Sequence, residues 1–173
     1  MIDYSKFNYK WFNDDVPNNM KITQVYGIVF NNEGKVLLKY ENYNGTKIYS
    51  VAGGTPEDFD KSIENTLKRE FLEEINTTLK DNIIYLGYQE VDECNNEPKY
   101  AQIRMTALVE NIGAKQPDPD NGKTYNRILV SPKKAIELLN WQSTGESIIN
   151  RAVEIAIKNF NIDIYNGDEI VEI

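Results

Sequence analysis

Apolar and polar positions change period along the chain, and those changes mark out its elements. Residues 22–30 are rich in β-branched and aromatic side chains, which suit a pleated, half-buried surface, so a strand is predicted. Asn31-Asn32-Glu33-Gly34 is a turn signal, and residues 35–40 read as the second strand of a hairpin. A loop at 42–45 leads to a short strand over 48–52 that stops at Gly53-Gly54. From Ser62 to Asn76 the period becomes helical, because Ile63, Leu67, Phe71 and Ile75 recur every four residues and form one stripe. Ser62 or Asp60 can cap the start of this helix, and Asn76 suits a left-handed stop.

Two longer strands follow, over 83–91 and 100–110. The stretch 113–122 contains Pro117-Asp118-Pro119-Asp120 and is too rich in proline for regular structure. A strand over 125–130, a short helix beginning at Pro132 and a last helix over about 146–160 complete the pattern. Hairpins mixed with helices predict an α+β fold: a mixed sheet covered by helices on both faces.

Composition narrows the picture. The 173 residues suit one domain over 21–160. A polar, aromatic segment over 1–20 (Tyr4, Phe7, Tyr9, Trp11, Phe12) is expected to pack on that domain or on a partner subunit in a homodimer, and 161–173 form a tail. Hydrophobic residues at 40% and charged residues at 27% place the chain among globular proteins, not disordered ones. No apolar run approaches the roughly 20 residues needed to span a bilayer, so no membrane association is expected. The acidic, Asn-rich start does not read as a secretory signal or transit peptide. A single cysteine, Cys94, cannot form an internal disulfide, and a cytoplasmic location is expected. The net charge of −8 argues against duplex nucleic acid as a partner.

The chain contains no histidine, which removes histidine triads, histidine metal sites and imidazole acid–base chemistry. Catalysis must then rest on carboxylates, lysine, tyrosine or the lone thiol. A metal site built from oxygen ligands favours Mg²⁺ or Mn²⁺ over zinc.

One carboxylate cluster stands out. At about 100° per residue the apolar stripe of the helix centres near 60° with Ile63 as zero, while Glu74 falls at roughly 20°, Glu70 at −20° and Glu73 at −80°. Glu70 and Glu74 thus lie at the edge of the apolar face and not opposite it. Glu70 stands three and four residues from Glu73 and Glu74, where like charges repel. All three occupy the C-terminal half of the helix, where the macrodipole disfavours anions. A bound divalent cation would offset these penalties; the alternative is a solvated charged face.

Gly53 to Glu74, with Arg69-Glu70-Phe71-Leu72-Glu73-Glu74 at its centre, resembles the Nudix box, G-x5-E-x7-R-E-U-x-E-E-x-G-U. The order of elements around it resembles the Nudix α/β/α sandwich over about 21–160. That resemblance implies a metal-dependent hydrolase that cleaves the diphosphate linkage of a small nucleotide-type substrate, a nucleoside diphosphate joined to another moiety. It implies that Glu70, Glu73 and Glu74 bind Mg²⁺ or Mn²⁺, that Gly53 offers its carbonyl, and that Arg69 orients the glutamates. Glu73, or an acidic residue in a later loop, would serve as base. The chain departs from the pattern in one extra residue between Gly54 and Arg69, so the first box glutamate falls on either Asp60 or Lys61. Asn76 and Thr77 replace the final glycine and aliphatic residue. Outside the box, Asp118 or Asp120 is a candidate for a further acidic ligand, and Arg104 for a substrate phosphate or a surface ion pair. Tyr88, Tyr100 and Tyr125 could stack on a base or pack in the core. Two alternatives share the fold. One is a nucleotide- or ADP-ribose-sensing module without turnover. The other is an isomerase that would need Cys94 as its catalytic thiol.

Overall fold

The computed structural model describes residues 2–173. Its strands are β1 (Asn8–Phe12), β2 (Lys21–Phe30), β3 (Val36–Tyr43), β4 (Thr46–Ser50), β5 (Gly53–Gly54), β6 (Thr77–Leu79), β7 (Ile84–Asp92), β8 (Tyr100–Ile112), β9 (Asn126–Val130) and β10 (Val171–Glu172). The helices are α1 (Ile63–Ile75), α2 (Pro132–Leu139) and α3 (Gln142–Phe160). The main sheet runs β1-β7-β8-β2-β3-β9-β10, with β4, β5 and β6 paired to β3, β2 and β8. β2 and β8 are parallel, from Lys21 beside Tyr100 to Phe30 beside Leu108, and the other pairs are antiparallel. The sheet is therefore mixed, as the pattern predicts.

Side-chain alternation along the central strands divides the core into two layers. Val25 and Val29 of β2, with Ile103 and Met105 of β8, pack against Leu67, Phe71 and Ile75 of α1. Ile28 and Phe30 face the other way, onto Ala135 and Leu139 of α2 and Ile148, Ile149 and Ala152 of α3. Leu67 and Phe71 are fully enclosed, and each such side chain contributes about 1.5–3 kcal/mol of burial. That burial holds α1 to the sheet at one rotation, and the rotation decides where its glutamates point.

Both ends of α1 follow its sequence. The Ser62 hydroxyl accepts from the Asn65 N–H, and Asn76 adopts a left-handed conformation with φ 45°. Arg127 of β9 is buried and donates to the Ile75 carbonyl (2.7 Å), placing a cation at the helix C-terminus where the macrodipole favours one.

The termini add to the sheet. β1 pairs residue for residue with β7, from Asn8 beside Asp92 to Phe12 beside Tyr88. The stretch expected as a tail is also part of the fold: β10 lies against β9, and Tyr165 donates to the Gly34 carbonyl. The last helix begins four residues earlier than the periodicity suggests, at Gln142, where Trp141 packs over Gly145. No helix among the described residues is long and apolar enough to cross a membrane.

Candidate active site

The extra residue before α1 resolves where Asp60 and Lys61 go. Asp58–Asp60 form a 3-10 turn, Lys61 takes a left-handed conformation (φ 65°), and Ser62 restarts the chain as the cap of α1. The insertion is absorbed at Lys61, which stays exposed, and Asp60 turns inward. Asp60 is buried and accepts from the Glu57 N–H, the Thr66 hydroxyl, and both Nε and Nη2 of Arg69 at 2.8 and 3.0 Å. This bidentate arginine contact, aided by the two neutral donors, holds the Asp60 carboxyl down at about 2.

Arg69 has more acids around it. Its Nη1 donates to Glu70 (2.8 Å) and Glu73 (2.9 Å), and its Nη2 also reaches the Thr55 carbonyl (2.9 Å). Hydrogen bonds to Asp60 lead the effects that raise its pKa. Arg69 thus gathers the loop before the helix and two of the three box glutamates into one rigid unit.

Exposure of the glutamate side chains follows the wheel: 9% for Glu70, 12% for Glu74 and 28% for Glu73. Burial raises the Glu70 carboxyl to about 7, against the pull of Arg69. Burial also raises Glu74, opposed by Lys39. Lys39 of β3 is itself buried, forms an ion pair with Glu74, and lies 4.1 Å from the centre of the Tyr125 ring.

Gly53 and Gly54 make this approach feasible. Gly53 has φ 149°, where a side chain would collide with the β2 backbone. Its N–H donates to Glu74 at 3.0 Å. At Gly54 a Cβ would lie 2.4 Å from the Glu70 carboxyl. The missing side chain leaves the space which that carboxylate occupies.

The later-loop candidates separate. Asp118 is buried and close enough to Glu74 to raise its pKa, with its carboxylate accepting from the Asp120 N–H and from Asn121. Asp120 is exposed and adds only its backbone N–H.

Arg104 is not a surface ion pair. It lies in the interior of the α3 face of β8 with 4% exposure and no acidic partner among the described residues. Its Nη2 donates to Gln89 (2.7 Å), Nη1 has two long contacts to carbonyls at 3.4 Å, and Nε has no partner. The rings of Tyr26 and Trp141 lie 4.7 and 5.6 Å from its guanidinium carbon. Burial lowers the guanidinium to about 10. It lines a cavity of about 700 Å³ between the sheet and the start of α3. Tyr26 connects this cavity to the carboxylates, since its backbone and ring adjoin Gly53 and the charges of Glu74 and Glu70 raise its pKa after burial does. A second cavity, about 580 Å³, shares Tyr4, Phe7 and Gln102 with the first and extends to Thr55 and Pro56.

Tyr88 is buried and stacks on Phe12, Tyr125 is buried beside Lys39, and half-buried Tyr100 lines the second cavity. Cys94 is exposed and lines neither cavity. Asp60 as the Arg69 partner, and Lys39, go beyond the residues selected from sequence. The one-residue excess in the box spacing left the choice open between Asp60 and Lys61, whereas no local signal marks Lys39.

Three comparisons complete the description. A family model described as NUDIX domain matches residues 20–151. The sequence matches no curated protein. The fold is similar to a mutant form of the Bacillus subtilis pyrophosphohydrolase BsRppH, at 18% identity and TM-score 0.66 over 89% of this chain and 95% of that one. It is also similar to a NUDIX hydrolase from Nitrosomonas europaea (18% identity, TM-score 0.58, 86% and 100% covered) and to the MutT protein from Bacillus halodurans (22%, 0.54, 75% and 80%). With the family model matched over residues 20–151, which include the box helix and the Arg69 cluster, the chain belongs to the NUDIX family.

Proposed function

We propose that this protein hydrolyses the diphosphate linkage of a nucleoside diphosphate joined to a second moiety, with Mg²⁺ or Mn²⁺ held by Glu70, Glu73 and Glu74. The observation that carries this reading is the single arginine, Arg69, bonded to Asp60, Glu70 and Glu73 beside Gly53-Gly54. The donor set suits a hard divalent cation, and the space beside Gly54 brings the Glu70 carboxylate to the loop backbone. Among the described residues no three carboxylates converge as a ready ligand set, because Arg69 engages Glu70 and Glu73 while Lys39 engages Glu74. Binding therefore requires Lys39 to give up Glu74. When bound, the cation would neutralise the diphosphate and lower the pKa of a coordinated water.

The chain's own residues do the rest. Arg69 fixes Glu70 and Glu73 so that no side-chain ordering remains for the transition state. Glu73, the most exposed of the three, accepts the proton of the attacking water as its oxygen bonds to phosphorus and the phosphoanhydride bond breaks. Asp118 supplies further negative charge near Glu74. The cavity beyond Tyr26 receives the part of the substrate that does not react.

The test is a panel of nucleotides, nucleotide sugars and dinucleotides with Mg²⁺ or Mn²⁺, read by product mass. Glu73→Gln is expected to lower kcat on the order of 10³-fold, equivalent to several kcal/mol of transition-state stabilisation, with little change in Tm. Unchanged turnover in that variant would overturn the mechanism.

A further inference from the structure

The first cavity is larger than one metal-bound phosphate requires and has an unusual lining. Among the described residues around its 700 Å³, Arg104 is the only charged one. Five aromatic residues share the wall: Tyr4, Phe7, Tyr9, Tyr26 and Trp141. A phosphate chain would need several cations there and would lose its hydration against the rings. A planar, uncharged group gains by burying its faces among them.

The arginine adds direction to that preference. A guanidinium has five N–H donors in a flat fork. At Arg104 only the Nη2 bond to Gln89 is short, Nη1 has just two long contacts to carbonyls, Nε is enclosed, and no described carboxylate forms an ion pair with it. The fork therefore suits a ligand edge with two adjacent acceptors. Among nucleobases, a 6-oxopurine has that edge in O6 and N7, whereas adenine puts the N6 donor where an acceptor is needed. Part of the aromatic wall lies outside the family match as well. Tyr4, Phe7 and Tyr9 lie before residue 20, where the family match begins, and reach the cavity because β1 adds itself to β7.

We infer that this cavity is a base pocket in which Arg104 donates to O6 and N7 of a 6-oxopurine and the N-terminal segment forms one wall. This rests on the proposed hydrolysis of a nucleoside diphosphate and specifies which nucleoside. Gln89 is a positioning residue, holding the guanidinium through Nη2.

The experiment measures kcat/KM with Mg²⁺ for GTP, ITP, ATP and 7-deaza-GTP, together with GMP and AMP binding to the Glu73→Gln protein by calorimetry. GTP and ITP are expected to exceed ATP by about 10- to 100-fold, mainly through KM, with 7-deaza-GTP lower than GTP because it lacks N7. Arg104→Gln should abolish the preference, and Phe7→Ala should raise KM for every nucleotide. The 7-deaza comparison leaves the protein intact, so it still tests the pocket if Arg104→Gln does not fold. Equal values for GTP, ATP and 7-deaza-GTP would overturn the pocket while leaving the hydrolase reading in place. GMP binding preferred over AMP without turnover of any nucleotide would leave the pocket standing and overturn the reaction. Neither binding nor turnover would overturn both.

Discussion

Two arginines, half-buried Arg69 and buried Arg104, differ sharply in their surroundings. Arg69 is bonded to Asp60, Glu70 and Glu73, and its charge is further stabilised. Arg104 sits between two aromatic rings with an amide and no acid, and burial weakens its hold on the proton. Desolvating a guanidinium is costly in both places. At Arg69 acidic partners offset the cost inside the protein, and the result is a rigid cluster of one arginine and three carboxylates. At Arg104 stacking offsets part of it and donors are left over, which is the state expected of a group that completes its bonding with a ligand. Under the proposed roles, an arginine that orients catalytic residues and one that reads a ligand are told apart by where their donors end.

The contrast can be broken most sharply at Arg69. Arg69→Met leaves Asp60 buried without its cation and is expected to cost about 3–5 kcal/mol of stability, read by urea unfolding. Arg69→Lys keeps the charge without the fork and should recover part of that stability while kcat stays about 10- to 100-fold low. Full activity in the lysine variant would show that the bidentate geometry is dispensable.

The pH dependence of stability is the next largest effect. The Asp60 carboxyl is depressed to about 2 in the folded protein, below its unfolded value of about 3.9. Its contribution is therefore present above about pH 4 and lost as pH falls through about 2, amounting to on the order of 2 kcal/mol. Unfolding midpoints across that window should show this loss in the wild type and less of it in Asp60→Asn.

Lys39→Met sharpens the comparison by removing the cation that occupies Glu74. The metal-free protein should lose about 1–3 kcal/mol, because a buried carboxylate is left unpaired. The gain in Tm on adding Mg²⁺ should then exceed that of the wild type, since no lysine competes for Glu74. An unchanged Mg²⁺ response would separate Glu74 from the cation.

The smallest effect concerns the inserted residue. Lys61 is exposed and left-handed, so Lys61→Gly should stabilise the protein by about 0.5–1 kcal/mol without altering activity. A destabilised variant would mean that the Lys61 side chain has a role of its own.

Much of the candidate site follows from local chemistry. The four-residue period of Ile63, Leu67, Phe71 and Ile75 placed Glu70 and Glu74 beside the apolar face, and both side chains are largely enclosed. Ser62 and Asn76 cap the helix where their side-chain and backbone preferences put them. Four strands were not legible, among them β5, the two residues Gly53–Gly54, which the pattern gave only as the end of the preceding strand. β1 is mostly exposed on its own, β6 has three residues and β10 two, so each depends on a partner strand far along the chain.

Spacing along one helix sufficed to group Glu70 with Glu73 and Glu74, because neighbours three and four residues apart share a face whatever else the chain does; Arg69 joined them only through the resemblance to the Nudix box. Only the tertiary structure selected Asp60 over Lys61, brought Lys39 to Glu74, and placed Arg104 away from every acid among the described residues. Those outcomes depend on which strand lies beside which and on how far each side chain is removed from water. Pairing and desolvation are properties of the packed sheet, and no local pattern of residues encodes them.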